Sequence, residues 1–197
     1  MTTSADTAPT AAPPRGIEPL IELVDRAVGL DGVAATTRAV QEGMSRLIHD
    51  GELALSGELR RTAPGHYARR LVYRSGDHGY VVVAMVWGPG QKTPLHDHAG
   101  TWCVEGVIEG RIEVTQYDLL ERHGDRCRFR RIDSVCTGVG AAGALIPPFE
   151  YHTIANARDE ASITLHVYGG DLTHCSVFEP EPDGRYRVSE KSLAYDN

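Results

Sequence analysis

Apolar residues recur at helical spacing between Ile17 and Asp50: Ile17, Leu20, Ile21, Val24 and Val28 form one stripe, and Val33, Thr37, Val40, Met44 and Leu47 another. The break at Gly29 to Gly32 predicts two amphipathic helices, a packing layer over one end of a domain. After Gly65 the pattern changes to short β-branched runs separated by Gly, Pro, Asn and Asp. These predict strands at Arg70 to Arg74, Tyr80 to Trp87, Trp102 to Ile108, Arg111 to Leu119, Arg126 to Asp133, Ala144 to Ile146, His152 to Ala155, Ile163 to Tyr168, Cys175 to Glu179 and Tyr186 to Val188. His123-Gly124-Asp125 and Gly76-Asp77-His78-Gly79 read as hairpin turns. Strands spaced so evenly, with no fixed-period repeat, predict a barrel or a sandwich.

At 197 residues and 41% hydrophobic, the chain suits one compact domain. We expect a disordered tail over 1–16, because its Pro and small polar residues bury too little surface to offset chain entropy, and a single domain over 17–197. Within it, 17–50 is the helical segment and about 66–190 the β-barrel. The net charge of -7 leaves no basic footprint for nucleic acid or an anionic membrane surface, so a small molecule is the expected partner. No signal peptide is read at the N-terminus, and no stretch reaches the ~18 apolar residues of a membrane span. Cys103, Cys127, Cys136 and Cys175 form no CxxC pair, which fits a reducing cytoplasm.

The candidate chemistry centres on His96-Asp97-His98. Alternate residues of a strand share a face, so both imidazoles can reach one metal ion, while Asp97, of opposite parity, is left to hydrogen bonding. With its flanks the segment reads Gly90-x5-His96-x-His98-x4-Cys103-x6-Gly110, the spacing of a first cupin motif with Cys103 where many cupins carry glutamate. Pro147-x4-His152-x3-Asn156 has the outline of a second cupin motif, with Phe149 at the usual glycine, and offers His152 as a third ligand. Three neutral histidines leave a divalent ion its full charge and open positions, suited to a thiolate and dioxygen; zinc tolerates the same set, so ligand type leaves hydrolysis open. His96 and Cys103 differ in parity, so a bend near Ala99-Gly100 is required if the thiol is to face the metal.

Thr164, His166 and Tyr168 alternate with Ile163, Leu165 and Val167. The polar face is either an inward relay of hydroxyl, imidazole and phenol or a solvent-facing stripe. Arg69 is either a bidentate partner for a carboxylate or a surface residue like Arg70.

These separated matches, from Tyr67 to Glu179, resemble the cysteine dioxygenase family of thiol dioxygenases. The resemblance implies a mainly β, cupin (jelly-roll) barrel with the N-terminal helices packed against it. It implies Fe(II) held by His96, His98 and His152, with Arg69 on the substrate carboxylate and Tyr67 and Trp87 lining the pocket. Thr164, His166 and Tyr168 match the family's relay, with Thr in place of Ser. Cys103 and Tyr168 fall where mammalian-like members form a cysteine-tyrosine thioether, whereas many bacterial members have glycine at the Cys103 position. The implied reaction converts L-cysteine and dioxygen to cysteine sulfinic acid, a step of cysteine catabolism, in a monomer.

Two departures stand beside the matches: Thr replaces Ser in the relay, and Gly169-Gly170 follows Tyr168 where the mammalian-like pattern has Ser-Pro, which leaves the amine pocket open. The nearest alternative is 3-mercaptopropionate dioxygenase, although such members usually carry Gln at position 69 and Gly at position 103. A different class is a non-enzymatic cupin that binds a metal or small ligand. A zinc-dependent hydrolase or isomerase is disfavoured, since the motifs display no inward carboxylate base. Cys175 is read as packing, and Cys127 and Cys136 as structural.

Overall fold

The computed structural model describes residues 13–196. Most of the expected tail, 1–12, lies outside the described residues. The helices are α1 (Glu18–Ala27) and α2 (Val33–His49), split at Gly32, whose φ of 86° places it in left-handed backbone. A 3-10 turn, Glu58–Arg60, leads to the strands. Among the described residues these are β1 (Ala68–Arg74), β2 (Val81–Trp87), β3 (Leu95–His96), β4 (Cys103–Glu109), β5 (Arg111–His123), β6 (Arg126–Gly138), β7 (Ala142–Leu145), β8 (His152–Ala155), β9 (Ser162–Tyr168), β10 (His174–Pro180) and β11 (Tyr186–Ser192).

The strands form two antiparallel sheets, making the protein a mainly β cupin jelly roll. One sheet has the order β1-β2-β9-β4-β7; the other, β10-β11-β6-β5-β8-β3, closes on itself. The helices cover the outer face of the first sheet. This explains why Val81-Val82-Val83-Ala84-Met85-Val86-Trp87 is apolar throughout instead of alternating: both faces of β2 are buried. Val82, Ala84, Val86, Val104, Leu165 and Val167 pack with Leu20, Val24, Val40 and Met44. Val81, Val83, Met85 and Trp87 turn inward to meet Cys103, Val107 and Tyr168. Removing this surface from water contributes roughly 25 cal/mol per Å² of apolar area and is the main force holding helices to barrel.

The structure departs from the sequence pattern in two places that shape the pocket. The β5–β6 hairpin turns at Gly124-Asp125 as expected, but its strands run well beyond Leu119 and Asp133. The strand expected to carry both His96 and His98 ends at His96, and His98 follows it in non-strand backbone. No helix among the described residues is long and apolar enough to cross a membrane.

Gly106 fixes how closely α2 approaches β4. A Cβ there would lie 2.6 Å from Met44 Sδ and 2.9 Å from Ile48 Cδ1. Gly106→Val keeps strand propensity but overpacks this contact, and we expect a loss of about 1–3 kcal/mol, read as a lower urea midpoint with unchanged slope.

Candidate metal centre

The closure of the barrel brings the first two histidines together. In β3, His96 pairs with His152 of β8 on one side and with Val177 of β10 on the other. The His96 and His152 rings lie 4.4 Å apart, and His98 lies 5.4 and 5.0 Å from them. One ligand atom from each histidine falls within 4.8 Å of the other two. His96 Nδ1 sits 3.1 Å from Pro94 O, and His152 Nδ1 2.8 Å from Glu150 O. A carbonyl only accepts, so each Nδ1 carries the proton and each Nε2 presents its lone pair to the shared space. His152 Nε2 is buried without a partner. Burial lowers the pKa of all three rings, reinforced at His98 and His152 by the neighbouring imidazoles. Neutral, converging and unpartnered nitrogens fit a divalent metal ion.

His98 enters the cluster through a clamp and a turn. Asp97 Oδ1 accepts from Ser176 N (2.8 Å) and Ala99 N (3.1 Å), tying the segment to β10 instead of contributing a ligand. Thr101 N donates to His98 O across Ala99 and Gly100, whose φ values of 50° and 79° are both left-handed. This is the bend the parity argument requires, and β4 leaves it with Cys103 buried and facing Tyr168 across the β4–β9 ladder.

Thr164, His166 and Tyr168 are buried inside the barrel, not on its surface. Trp87 Nε1 donates to Thr164 Oγ1 (3.0 Å), which lies 2.7 Å from His166 Nε2. The indole can only donate, so the threonine accepts from it and gives its own proton to Nε2. His166 is thereby held with its proton on Nδ1, facing Tyr168 Oη (3.4 Å), Glu105 Oε2 (3.4 Å) and Cys103 Sγ (3.9 Å). Burial, with Arg69 and then His96 adding to it, holds the His166 pKa down to about 3. Burial also raises the Cys103 thiol and the Tyr168 phenol well above their ordinary values.

Glu105 corrects the expectation that no carboxylate faces inward. It stands two residues after Cys103 on β4 and so shares its face; parity alone would have revealed it once Cys103 was turned inward. Its side chain is buried, and burial pushes its carboxyl up to about 8. Its Oε2 has no hydrogen-bond partner and lies 3.8 Å from His152 Nε2. Ligand atoms of Cys103, Glu105 and His166 also lie within 4.8 Å of one another. A second buried carboxylate, Glu150, accepts from His98 N (3.1 Å) and is pushed by burial up to about 7.

The pocket above the histidines is walled by Tyr67, Arg69, Met85, His166, Tyr168, Cys175 and Lys191, among others. Arg69 is buried: Nη1 donates to Ala194 O and Nη2 to Leu172 O, both at 3.2 Å, while Nε has no partner. The segment after β11 thus straps the guanidinium in place, and Asp196 bonds the Arg69 main chain and His66 (2.9 Å). Trp87 stands behind the wall, stacked on Tyr67 with ring centroids 4.6 Å apart. Cys175 lines the pocket as well as packing, and Lys191, beyond the expected end of its strand, was not singled out by sequence. Cys127 packs with Leu95 and Phe178, whereas Cys136 is exposed. Gly169 has no room for a side chain, because a Cβ would collide with the Trp102 indole. A separate apolar cavity, bordered by Val107, Ile112, Val114 and Leu145, also reaches Glu105 and Thr164.

The family model "Cysteine dioxygenase type I" matches residues 55–181. Among curated proteins, cysteine dioxygenase type 1 of Danio rerio is 24% identical over 119 residues, covering 57% of this chain and 56% of that protein. The Rattus norvegicus protein of the same name is 22% identical over 129 residues, covering 62% and 60%. The chain therefore spans less than two thirds of the length of these relatives. Among solved structures, TT1209 from Thermus thermophilus aligns with a TM-score of 0.44 at 21% identity, covering 56% of this chain and 90% of that one. A double-stranded β-helix protein from Klebsiella pneumoniae aligns at 0.45 and 21%, covering 70% and 97%.

The buried ionisable groups give the metal-free protein a pH signature. The folded state keeps the Glu105 proton up to about pH 8, against 4.5 for an ordinary glutamate, so across that window it binds more protons than the unfolded chain and loses stability as pH rises. His166, held at about 3 against 6.5, acts in the opposite sense only below 6.5. The folded-state pKa of His66 is raised by Asp196, which adds to the loss above 6.5. We expect the urea midpoint of metal-free protein to fall between pH 6.5 and 8, and Glu105→Gln to flatten part of that fall.

Proposed function

We propose that this chain, which belongs to the cysteine dioxygenase type I family, is a thiol dioxygenase that oxidises L-cysteine to cysteine sulfinic acid at Fe(II) held by His96, His98 and His152. The observation that carries this reading is the convergence of three neutral histidines below a pocket whose wall holds a buried arginine with a free Nε–H. Bound there, iron(II) supplies neighbouring coordination positions for a thiolate and for dioxygen. The reaction adds both atoms of dioxygen to the thiol sulfur, R–SH + O2 giving R–SO2H, so it needs no external reductant.

The side chains orient the substrate and manage its protons. Arg69, with Nη1 and Nη2 already held by main-chain carbonyls, offers Nε–H to the substrate carboxylate, and Tyr67 stands beside it on the wall. Tyr168 accepts from His166 Nδ1–H and, kept protonated by burial, retains an O–H in the pocket wall that would stabilise developing negative charge on oxygen. Thr164 and Trp87 position His166 rather than touch substrate. The neighbouring Cys103 and Tyr168 are proposed to join as a thioether, losing the thiol hydrogen and one ring hydrogen to dioxygen as oxidant. The four unpaired cysteines fit a cytoplasmic setting, and we propose a monomer organised as one cupin domain.

A second reading, 3-mercaptopropionate as substrate, stays beside it because Gly169-Gly170 stands where the mammalian-like pattern has Ser-Pro. Oxygen uptake by iron-loaded protein with L-cysteine, 3-mercaptopropionate and cysteamine separates the readings, with sulfinate quantified by mass spectrometry. We expect cysteine to be turned over fastest and cysteamine, which lacks the carboxylate, slowest. His152→Ala should abolish iron binding and turnover. Indifference to all three thiols would instead identify a non-enzymatic metal- or ligand-binding cupin. For the thioether, intact mass should fall by about two hydrogens after turnover and yield a linked Cys103–Tyr168 peptide, absent from Cys103→Ala.

A further inference from the structure

We infer that Tyr195 is a positioning residue for the substrate carboxylate: from the strap over 193–196 it holds the Arg69 guanidinium so that Nε–H is the donor left for that carboxylate, and it thereby selects carboxylated thiols. This deepens the reading of Arg69 as the carboxylate's partner and rests on it. Arg69 lines the pocket over the histidines and is only 4% exposed. Among the described residues its guanidinium forms no ion pair, and no carboxylate lines that pocket. A buried cation left unpaired is costly, so an anion is the ligand this wall lacks. Holding so long a side chain in one conformation also costs entropy, which its contacts have to offset.

Three contacts do so. Nη1 donates to Ala194 O and Nη2 to Leu172 O, both at 3.2 Å, and the guanidinium carbon lies over the Tyr195 ring, 5.0 Å from its centroid. The ring attracts the cation through its quadrupole and gives the planar group a surface to rest on, while Nε keeps its hydrogen free. The two carbonyls come from separate segments, and Tyr195 joins them. Its Oη donates to Asp171 Oδ1 at 2.6 Å, next to Leu172, and Leu193 N donates to Thr173 O at 2.7 Å on the other side. Burial, and then Asp171, pushes the Tyr195 phenol up to about 12, so it remains the donor. Asp171 also pairs with Arg74. Asp196 completes the clamp at the main chain, accepting from Arg69 N at 2.7 Å and donating its own N–H to Arg69 O at 2.8 Å. The segment 169–172 opens with Gly169-Gly170, the departure from Ser-Pro noted in the sequence. Those glycines bring no side chain to hold the Leu172 carbonyl in place, and the Tyr195–Asp171 bond supplies the brace.

KM and kcat are measured by oxygen uptake of the iron-loaded full chain with L-cysteine, 3-mercaptopropionate and cysteamine, for the unsubstituted protein, Tyr195→Leu and Tyr195→Phe. Leucine keeps apolar bulk but loses the aromatic face. We expect Tyr195→Leu to raise KM for both carboxylated thiols about tenfold, with kcat within about threefold and the cysteamine KM unchanged. Tyr195→Phe keeps the face and should rescue KM to within about threefold. A second readout needs no turnover: in isotopically labelled, zinc-loaded protein the buried Arg69 Nε–H, assigned by its loss in Arg69→Lys, gives a slowly exchanging NMR signal. 3-Mercaptopropionate should move that signal and cysteamine should not, and in Tyr195→Leu it should exchange faster. Unchanged KM for the carboxylated thiols in Tyr195→Leu would overturn the inference, as would unchanged exchange. A cysteamine KM raised as much as the others would also overturn it, since that marks a merely structural role. Tyr195→Met, a second non-aromatic replacement, carries both readouts if Tyr195→Leu folds poorly. An Arg69 signal that no carboxylated thiol moves, with Arg69→Lys as selective as the unsubstituted protein, would instead remove the reading of Arg69 itself, and the inference with it.

Discussion

The candidate site depends on the main-chain pairing of a two-residue strand. Leu95 and His96 bond to β8 on one side and to β10 on the other, closing the second sheet into a barrel and setting His96 directly opposite His152. A strand this short has little pairing of its own, and the Asp97 carboxylate, bonded to Ser176 N and Ala99 N, adds the anchor it lacks. The same anchor starts the left-handed turn that carries His98 inward. The geometry of the histidine cluster is therefore a property of the backbone ladder, from which the rings inherit their positions.

The second constraint is that a barrel strand buried on both faces has to resolve two environments at once. β9 does this with Leu165 and Val167 against the helices and Thr164, His166 and Tyr168 inside. Polar groups taken out of water need partners, and here they find them in sequence: Trp87 gives to Thr164, Thr164 to His166, and His166 faces the phenol. Because the indole can run in only one direction, the whole line has one polarity, and the proton on His166 points toward the pocket. Packing on the outer face and proton order on the inner face are two consequences of the same burial.

Charge in the pocket follows from this arrangement. The histidines are neutral because burial makes them so, the Arg69 guanidinium is steadied by carbonyls of Leu172 and of the C-terminal strap, and Glu105, whose carboxyl burial pushes up to about 8, faces ring nitrogens of His152 and His166. A pocket composed this way carries an unpartnered donor, Arg69 Nε, in its wall and an unpartnered ring nitrogen, His152 Nε2, among the histidines.

By itself, the sequence determined the two helices, most strand cores, the three histidines and the alternation of Thr164, His166 and Tyr168, whose inward facing only the fold decided. Those features are written in local periodicity, which depends only on the 3.6- and 2-residue repeats of helix and strand. The motif spacing was enough to place Cys103 in question and to require a bend at Ala99-Gly100. It could not show that the strand stops at His96, that Trp87 stands behind Tyr67, that Cys136 is exposed, or that Arg69 is buried under residues more than 120 positions later. Glu105 is the clearest case: its parity is legible, but its nearness to His152 comes from β4 and β8 lying in different sheets that face each other across the barrel. Such contacts are set by barrel closure, a long-range event in which residues far apart in the chain meet, and no local pattern encodes the distance between them.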